Sequence, residues 1–439
     1  MNNHRLLTGL LAAVLCSGGV CGHARSTVVY TLDEIFAAAE KGSVLLRPSL
    51  TAETASAIEL DAARRSRLPE INASVSVGYN GDGFTTDRHF SDYQKAPIPH
   101  FNNVAAVEIM QPVYAGGAIS GAIEMASHKS TAARFATDMA RDDIRFRLTG
   151  FYLDIYKYRN LRGVMEKNIT LATRVLDDMK ARHAEGMALR NDITRYELLL
   201  SNMELELTRI DNTLVILNSN LVSMAGLPEG TTVLPDSSLL ARSLGMEGEA
   251  TWQEVARDNA PSLKLASTAV DMSRTGEKLA KSELMPHVGI QAGWNFNGPI
   301  LVEVPPINRN LGYWYVGVGV NYSLSSLYKS NRKVAAAKAR TLEAYDNLSA
   351  SRLNVELGVR ADYIRYCEAY EELRTQEHSV ELADRNYATT STRFAEGMAL
   401  ITDQLDAANS KLDAEQRLVN ARINIIYYYY KLLFTSGQI

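Results

Sequence analysis

One stretch of this chain occurs twice. Arg182-His183-Ala184-Glu185-Gly186-Met187-Ala188-Leu189 returns as Arg393-Phe394-Ala395-Glu396-Gly397-Met398-Ala399-Leu400. The copies stay in register without a gap over about 45 residues, with Asp192 over Asp403, Glu204 over Glu415, Leu207 over Leu418 and Leu221 over Leu432. Agreement of that length marks a duplicated architecture. Helix-forming sequence flanks both blocks, and a glycine lets a chain leave a helix through a left-handed conformation. Each block therefore reads as a tight turn between antiparallel helices, and the rest of the chain decides whether those turns are also a functional tip.

No proline occurs between Pro112 and Pro228, and the segment is rich in Ala, Leu, Arg, Glu and Met, all strong helix formers. From Ala118 to His183 this predicts a helix of about 65 residues, or ~100 Å at 1.5 Å per residue. Such a rod must lie against other long helices, as in a coiled coil or helical tube. Gly150 and Gly163 are the expected bends. After Pro306 there is again no proline, and a second long helical region runs to Phe434, broken at Gly397.

Short helices and alternating segments precede each rod. Thr31-Leu32-Asp33-Glu34 reads as a capping box, mirrored by Thr251-Trp252-Gln253-Glu254; Pro48-Ser49-Leu50 is mirrored by Pro261-Ser262-Leu263, and Pro69 and Pro286 each end a helix. The period then changes to two. Strands are expected at about 69–80, 103–113, 286–297 and 313–324. In the fourth, Val316, Val318 and Val320 alternate with Gly317, Gly319 and Asn321. The expected organisation is a leader at 1–24, a first repeat at 25–226 with its turn at 185–189, a linker at 227–250, and a second repeat at 251–439 with its turn at 396–400.

The leader has the pattern of a signal peptide: Arg5, an apolar run Leu6 to Leu15, and Gly22-His23-Ala24 as a cleavage site. Cys16 and Cys21 follow Leu15 and Val20 rather than small residues, which disfavours lipidation. The exported chain keeps only Cys367, so packing and not disulfides must hold it. A formal charge of −4 implies no polyanion partner. The eight histidines are scattered without metal-ligand spacing, and there is no phosphate loop or nucleophile elbow. Neither catalysis nor a cofactor or metal is expected.

Strands with one apolar and one polar or glycine face, and with Tyr79, Tyr114, Trp294, Phe296, Tyr313, Trp314 and Tyr315 near their ends, match membrane β-strands. A half-buried sheet on a soluble core shows the same period. The export signal and the two rods favour the membrane. Four strands cannot close a barrel, and an open edge in lipid strands backbone groups at several kcal/mol each. Several chains must then share one barrel. Three would supply twelve strands around an aqueous lumen, and counting leaves four chains open. Gly78, Gly289, Gly293, Gly317 and Gly319 would line that lumen, and Glu108 is a candidate lumen-facing charge.

The Pro-terminated helix before each first strand, Gln111-Pro112-Val113-Tyr114-Ala115-Gly116-Gly117 after the second, both Glu-Gly-Met-Ala turns and Ile401-Thr402-Asp403-Gln404-Leu405-Asp406-Ala407 together resemble the TolC-like outer membrane efflux family. The resemblance implies a mixed α and β fold: a transmembrane β-barrel shared by a homotrimer, four strands per chain, continued by a long periplasmic α-helical barrel. It implies a passive exit duct in the outer membrane that serves a tripartite efflux or type I secretion system. The tip turns, Glu185, Gly186, Met187, Ala188 and Leu189 with Glu396, Gly397, Met398, Ala399 and Leu400, would dock a periplasmic adaptor and, through it, an inner-membrane transporter. Asp403 and Asp406 match the family's acidic periplasmic pore constriction. Their spacing of three places both on one helix face, although both also suit a first helical turn for its dipole alone. Ala399 and Leu400 stand where relatives often carry a basic or polar latch residue. The run Tyr427-Tyr428-Tyr429-Tyr430 reads as packing between helices. The alternative is a periplasmic coiled-coil structural or adaptor protein; a gated porin is a third reading, disfavoured by the rods.

Overall fold

The computed structural model describes residues 27–236, 244–245, 247–303 and 306–439. The expected leader lies outside them. In chain order the elements are β1 (Thr27–Tyr30), α1 (Leu32–Gly42), α2 (Arg47–Arg65), β2 (Glu70–Tyr79), β3 (Gly83–Thr85), β4 (Gln94–Ala96), β5 (Phe101–Ala115), α3 (Ala118–Ala184), α4 (Arg190–Ala225), β6 (Thr232–Pro235), α5 (Glu249–Asn259), α6 (Pro261–Ser282), β7 (His287–Gly298), β8 (Leu311–Asn321), α7 (Ser326–Ala395) and α8 (Ile401–Ser436).

The rods are single helices. α3 has 67 residues and α7 has 70, each ~100 Å long. α3 runs as one helix through Gly150 and Gly163, the positions where bends were expected. Both glycines have open space around the missing side chain. α4 folds back along α3, and α8 along α7.

Thr31 starts α1 as expected: its hydroxyl accepts from Glu34 N, and the Glu34 carboxylate accepts from Thr31 N. The mirrored Thr251 does not cap. α5 begins earlier, behind Gly248, which places Thr251 inside the helix. The expected linker contains β6, which pairs in parallel with β1, Thr27 against Thr232. Tyr152 secures this small sheet to α3, donating to Tyr30 O at 2.9 Å and accepting from Asp236 N at 2.7 Å. Burial pushes its phenol up to about 12.

Apolar burial concentrates midway along the rods and toward the turns. Leu32, Ile35, Leu148, Tyr152, Leu221, Ile426 and Tyr430 share one cluster. Trp252, Tyr366, Ile425 and Leu432 share a second, and Met165, Leu176, Met179, Tyr196 and Ile401 a third nearer the turns. The tyrosine run packs as expected: Tyr427 lies against Phe146, and Tyr429 against Trp252 and Tyr366. Each hairpin ends on a left-handed glycine, Gly226 at φ 68° and Gly437 at φ 74°. A side chain on Gly226 would strike the backbone of Gly42, and one on Gly437 that of Asn259. The duplicated glycines thus let each hairpin's end abut the short helix of its own repeat.

The main sheet has four antiparallel strands in the order β2-β5-β7-β8. β5 passes Pro112, where the strand was expected to end, by shifting register between Pro112 and Tyr114. That is how a strand absorbs a residue without an N–H. Among the described residues no helix is long and apolar enough to cross a membrane.

Candidate functional site

Register sorts the sheet residues onto two faces. Val75, Ala105 and Phe296 are successive partners; so are Val107, Trp294 and Trp314, and Ile290 and Val318. This face is apolar. Val75, Trp314, Val316 and Val318 are 81%, 74%, 67% and 72% exposed, an apolar surface with no protein over it. The opposite face carries Asn72, Glu108, Gly293 and Tyr315 in one row, and Gln291 with Gly317 in another. Glu108 is exposed there. The Tyr315 ring fills the space beside Gly293 that a side chain would take. Gly289 and Gly319 pair on the same face, and Gly78 pairs with Asn102. Both outer strands, β2 and β8, have an unpaired edge, and they are 10 and 11 residues long.

At the far end of the rods the two turns have the same construction. Gly186 and Gly397 adopt φ 77° and 74°. Gly186 N donates to His183 O and Met187 N to Arg182 O; Gly397 N donates to Phe394 O and Met398 N to Arg393 O. These paired bonds satisfy carbonyls left over at a helix end. His183 Nδ1 adds a 2.6 Å contact to Ala188 O that Phe394 cannot make in the second copy. Met187, Leu189, Met398 and Leu400 are about two-thirds exposed, so the rod ends in apolar side chains. Glu185 and Glu396 are exposed beside them.

Asp403 and Asp406 lie in the first turns of α8, and both are exposed. Asp403 has a local job: its carboxylate accepts from Leu400 N at 3.2 Å, fixing the start of the helix. Asp406 forms no hydrogen bond or ion pair among the described residues.

Several polar residues that sequence reasoning missed lie toward this end, and two of them, Arg182 and Asn168, bind the two hairpins together. Arg182 of α3 donates to Ala395 O of α7 at 2.6 Å, while Asp178 holds its guanidinium from the other side. Asn168 of α3 donates to Glu415 of α8 at 2.7 Å. Lys411 pairs with Asp384 and Glu415 and lies over the Tyr387 ring. Gln404 is fully buried, and neither atom of its amide has a hydrogen-bond partner. Its amide works against the burial that raises the phenols of Tyr196 and Tyr387. Burial nevertheless pushes Tyr196 up to about 12 and raises Tyr387. One signal was available for Gln404: it falls on the apolar stripe Ile401, Ala407, Ala408 of α8. Arg182 bonds to a carbonyl, which has no sequence signature.

Residues 252–428 match the family model described as outer membrane efflux protein. Outer membrane protein TolC of Vibrio cholerae serotype O1 is 21% identical over 380 residues, covering 86% of this chain and 84% of that protein. Among solved structures, the outer-membrane channel OprN superposes with a TM-score of 0.79 at 15% identity, over 93% of this chain and 90% of its own. CusC gives 0.78 at 12% identity, over 92% of both chains. VceC from Vibrio cholerae gives 0.75 at 15%, over 92% of this chain and 96% of its own. The fold is that of outer membrane channels, and the second repeat carries the efflux-protein sequence pattern.

Proposed function

We infer that this TolC-like chain is the outer membrane channel of a tripartite efflux or type I secretion system, a passive duct whose transport energy comes from its partners. The observation that carries this reading is the open sheet. An exposed apolar face with two long unpaired edges is unfavourable in water and, as a lone fragment, equally so in lipid. It becomes favourable when copies join edge to edge and turn the apolar face outward. Three copies give twelve strands, with Glu108, Asn72 and the glycine rows around an aqueous lumen. The rods then continue that wall into the periplasm as a helical barrel.

Asp403 and Asp406 would narrow the periplasmic end with a ring of carboxylates that attracts cations and repels anions. The exposed Met and Leu side chains of both turns, with Glu185 and Glu396 beside them, are the surface offered to a periplasmic adaptor and the transporter behind it. Ala188 and Ala399 of the same turns are half-buried. The division into repeats at 25–226 and 251–439 follows the same duplication.

Membrane fractionation followed by gel electrophoresis with and without boiling tests the assignment. The protein should sediment with outer membranes and run as a heat-dissociable oligomer. Recovery as a soluble periplasmic monomer would rule it out and favour an adaptor or structural role.

A further inference from the structure

Below the sheet, where β8 gives way to α7, the chain carries an unbalanced charge. Residues 322–342 contain Lys329, Arg332, Lys333, Lys338 and Arg340 and no Asp or Glu. Lys333 is neutralised by Glu283 at the C-terminal end of α6, at 2.7 Å. Lys329, Arg332 and Arg340 form no ion pair among the described residues, and all three are exposed. The same junction exposes apolar side chains: Leu324 and Tyr328 are each 69% exposed and Leu327 is 50% exposed. Unpaired cations beside uncovered apolar surface fit a partner that is anionic at one end and hydrocarbon at the other.

We propose that Lys329 and Arg332 bind the phosphate headgroup of an anionic phospholipid in the leaflet on the helical side, with Leu324 and Tyr328 against its upper acyl chain. The proposal rests on the channel reading, which turns the apolar sheet face directly above this junction toward lipid. Depth selects the residues. Headgroup layers are roughly 5–7 Å thick on each side of the hydrocarbon core. At 1.5 Å per residue, Lys329 lies about 5 Å and Arg332 about 9 Å along α7 from its start, within reach of that layer for long side chains. Lys338 and Arg340 lie about 20 Å along and are beyond it. A free phosphate ester would use the cations but leave the apolar rim uncovered.

The test uses the purified oligomer in phosphatidylcholine nanodiscs containing a minority of phosphatidylglycerol, with retained lipid counted by native mass spectrometry. Phosphatidylglycerol should be enriched over phosphatidylcholine. Lys329→Gln with Arg332→Gln should weaken its apparent affinity roughly 30-fold, about fivefold per charge near a membrane surface. Lys338→Gln with Arg340→Gln removes the same charge lower down and should change it less than about twofold. Arg332→Lys should retain binding, which separates loss of charge from loss of folding. Free glycerol 3-phosphate should not displace the lipid. No enrichment, equal loss from the two double variants, or displacement by glycerol 3-phosphate would each overturn the proposal. A soluble, membrane-free protein would overturn the channel reading itself, whereas a membrane oligomer indifferent to phosphatidylglycerol overturns this inference alone.

Discussion

At the residue scale, the exposed carboxylates and the buried ones behave differently. Asp403 and Asp406 are exposed near the turn, so removing their charge should act chiefly on ions, with about 1 kcal/mol of stability lost besides where Asp403 no longer accepts from Leu400 N. Asp403→Ala with Asp406→Ala should increase conductance or lower cation selectivity in a planar bilayer, and unchanged values would remove both from the gate. Asp142 is the contrasting case. It borders a cavity of about 350 Å³ beside Pro261, Asn354 and Phe434, and burial raises its pKa to about 6 despite Arg145, Arg141 and Lys264 nearby. Its native pKa exceeds the unfolded value, so protonation favours the native state. Stability from this group is therefore full below about pH 4 and lost as pH rises through about 6. Asp142→Asn mimics the protonated form. It should stabilise the fold at pH 7.5 by about 1 kcal/mol after discounting for remaining solvent contact, read as a higher thermal midpoint, and by progressively less toward pH 5. A gain that does not shrink on acidification would contradict this account.

At the scale of elements, the four left-handed glycines that end the long helices, Gly186, Gly226, Gly397 and Gly437, separate strain from crowding. Gly397→Ala meets no neighbour and should cost only about 1–2 kcal/mol for the left-handed backbone. Gly226→Ala adds a collision with Gly42 and should cost roughly 2–4 kcal/mol in all, overpacking included. Thermal midpoints of the two variants distinguish these; equal shifts would mean the hairpin end does not need its close approach. On the sheet, Val316→Lys should be destabilising by roughly 2–4 kcal/mol if that face meets lipid, measured by unfolding in a bilayer. A neutral result would return the sheet to water. The rods, turns and strand faces were legible because each rests on a local period or a glycine. β6 was not legible: four residues paired with a distant strand carry too short a pattern. The passage of β5 through Pro112 was missed for the opposite reason. There the local rule was clear, but a register shift overrode it. The polar ties at Arg182 and Asn168 depend on which helices meet, and a linear pattern does not state that.

For the whole molecule, stability and function share one condition. A single chain buries its cores along the rods yet leaves an apolar sheet face and two strand edges uncovered. On the channel reading each chain is one part of a wall, and the lumen exists only in the assembly. The most direct measurement is the mass of the intact particle extracted from the membrane, read by native mass spectrometry alongside cross-linking between cysteines placed on β2 and β8. The account predicts three chains per particle, with β8 of one copy linked to β2 of the next. A folded single chain, or links formed only between β2 and β8 of the same chain, would contradict it.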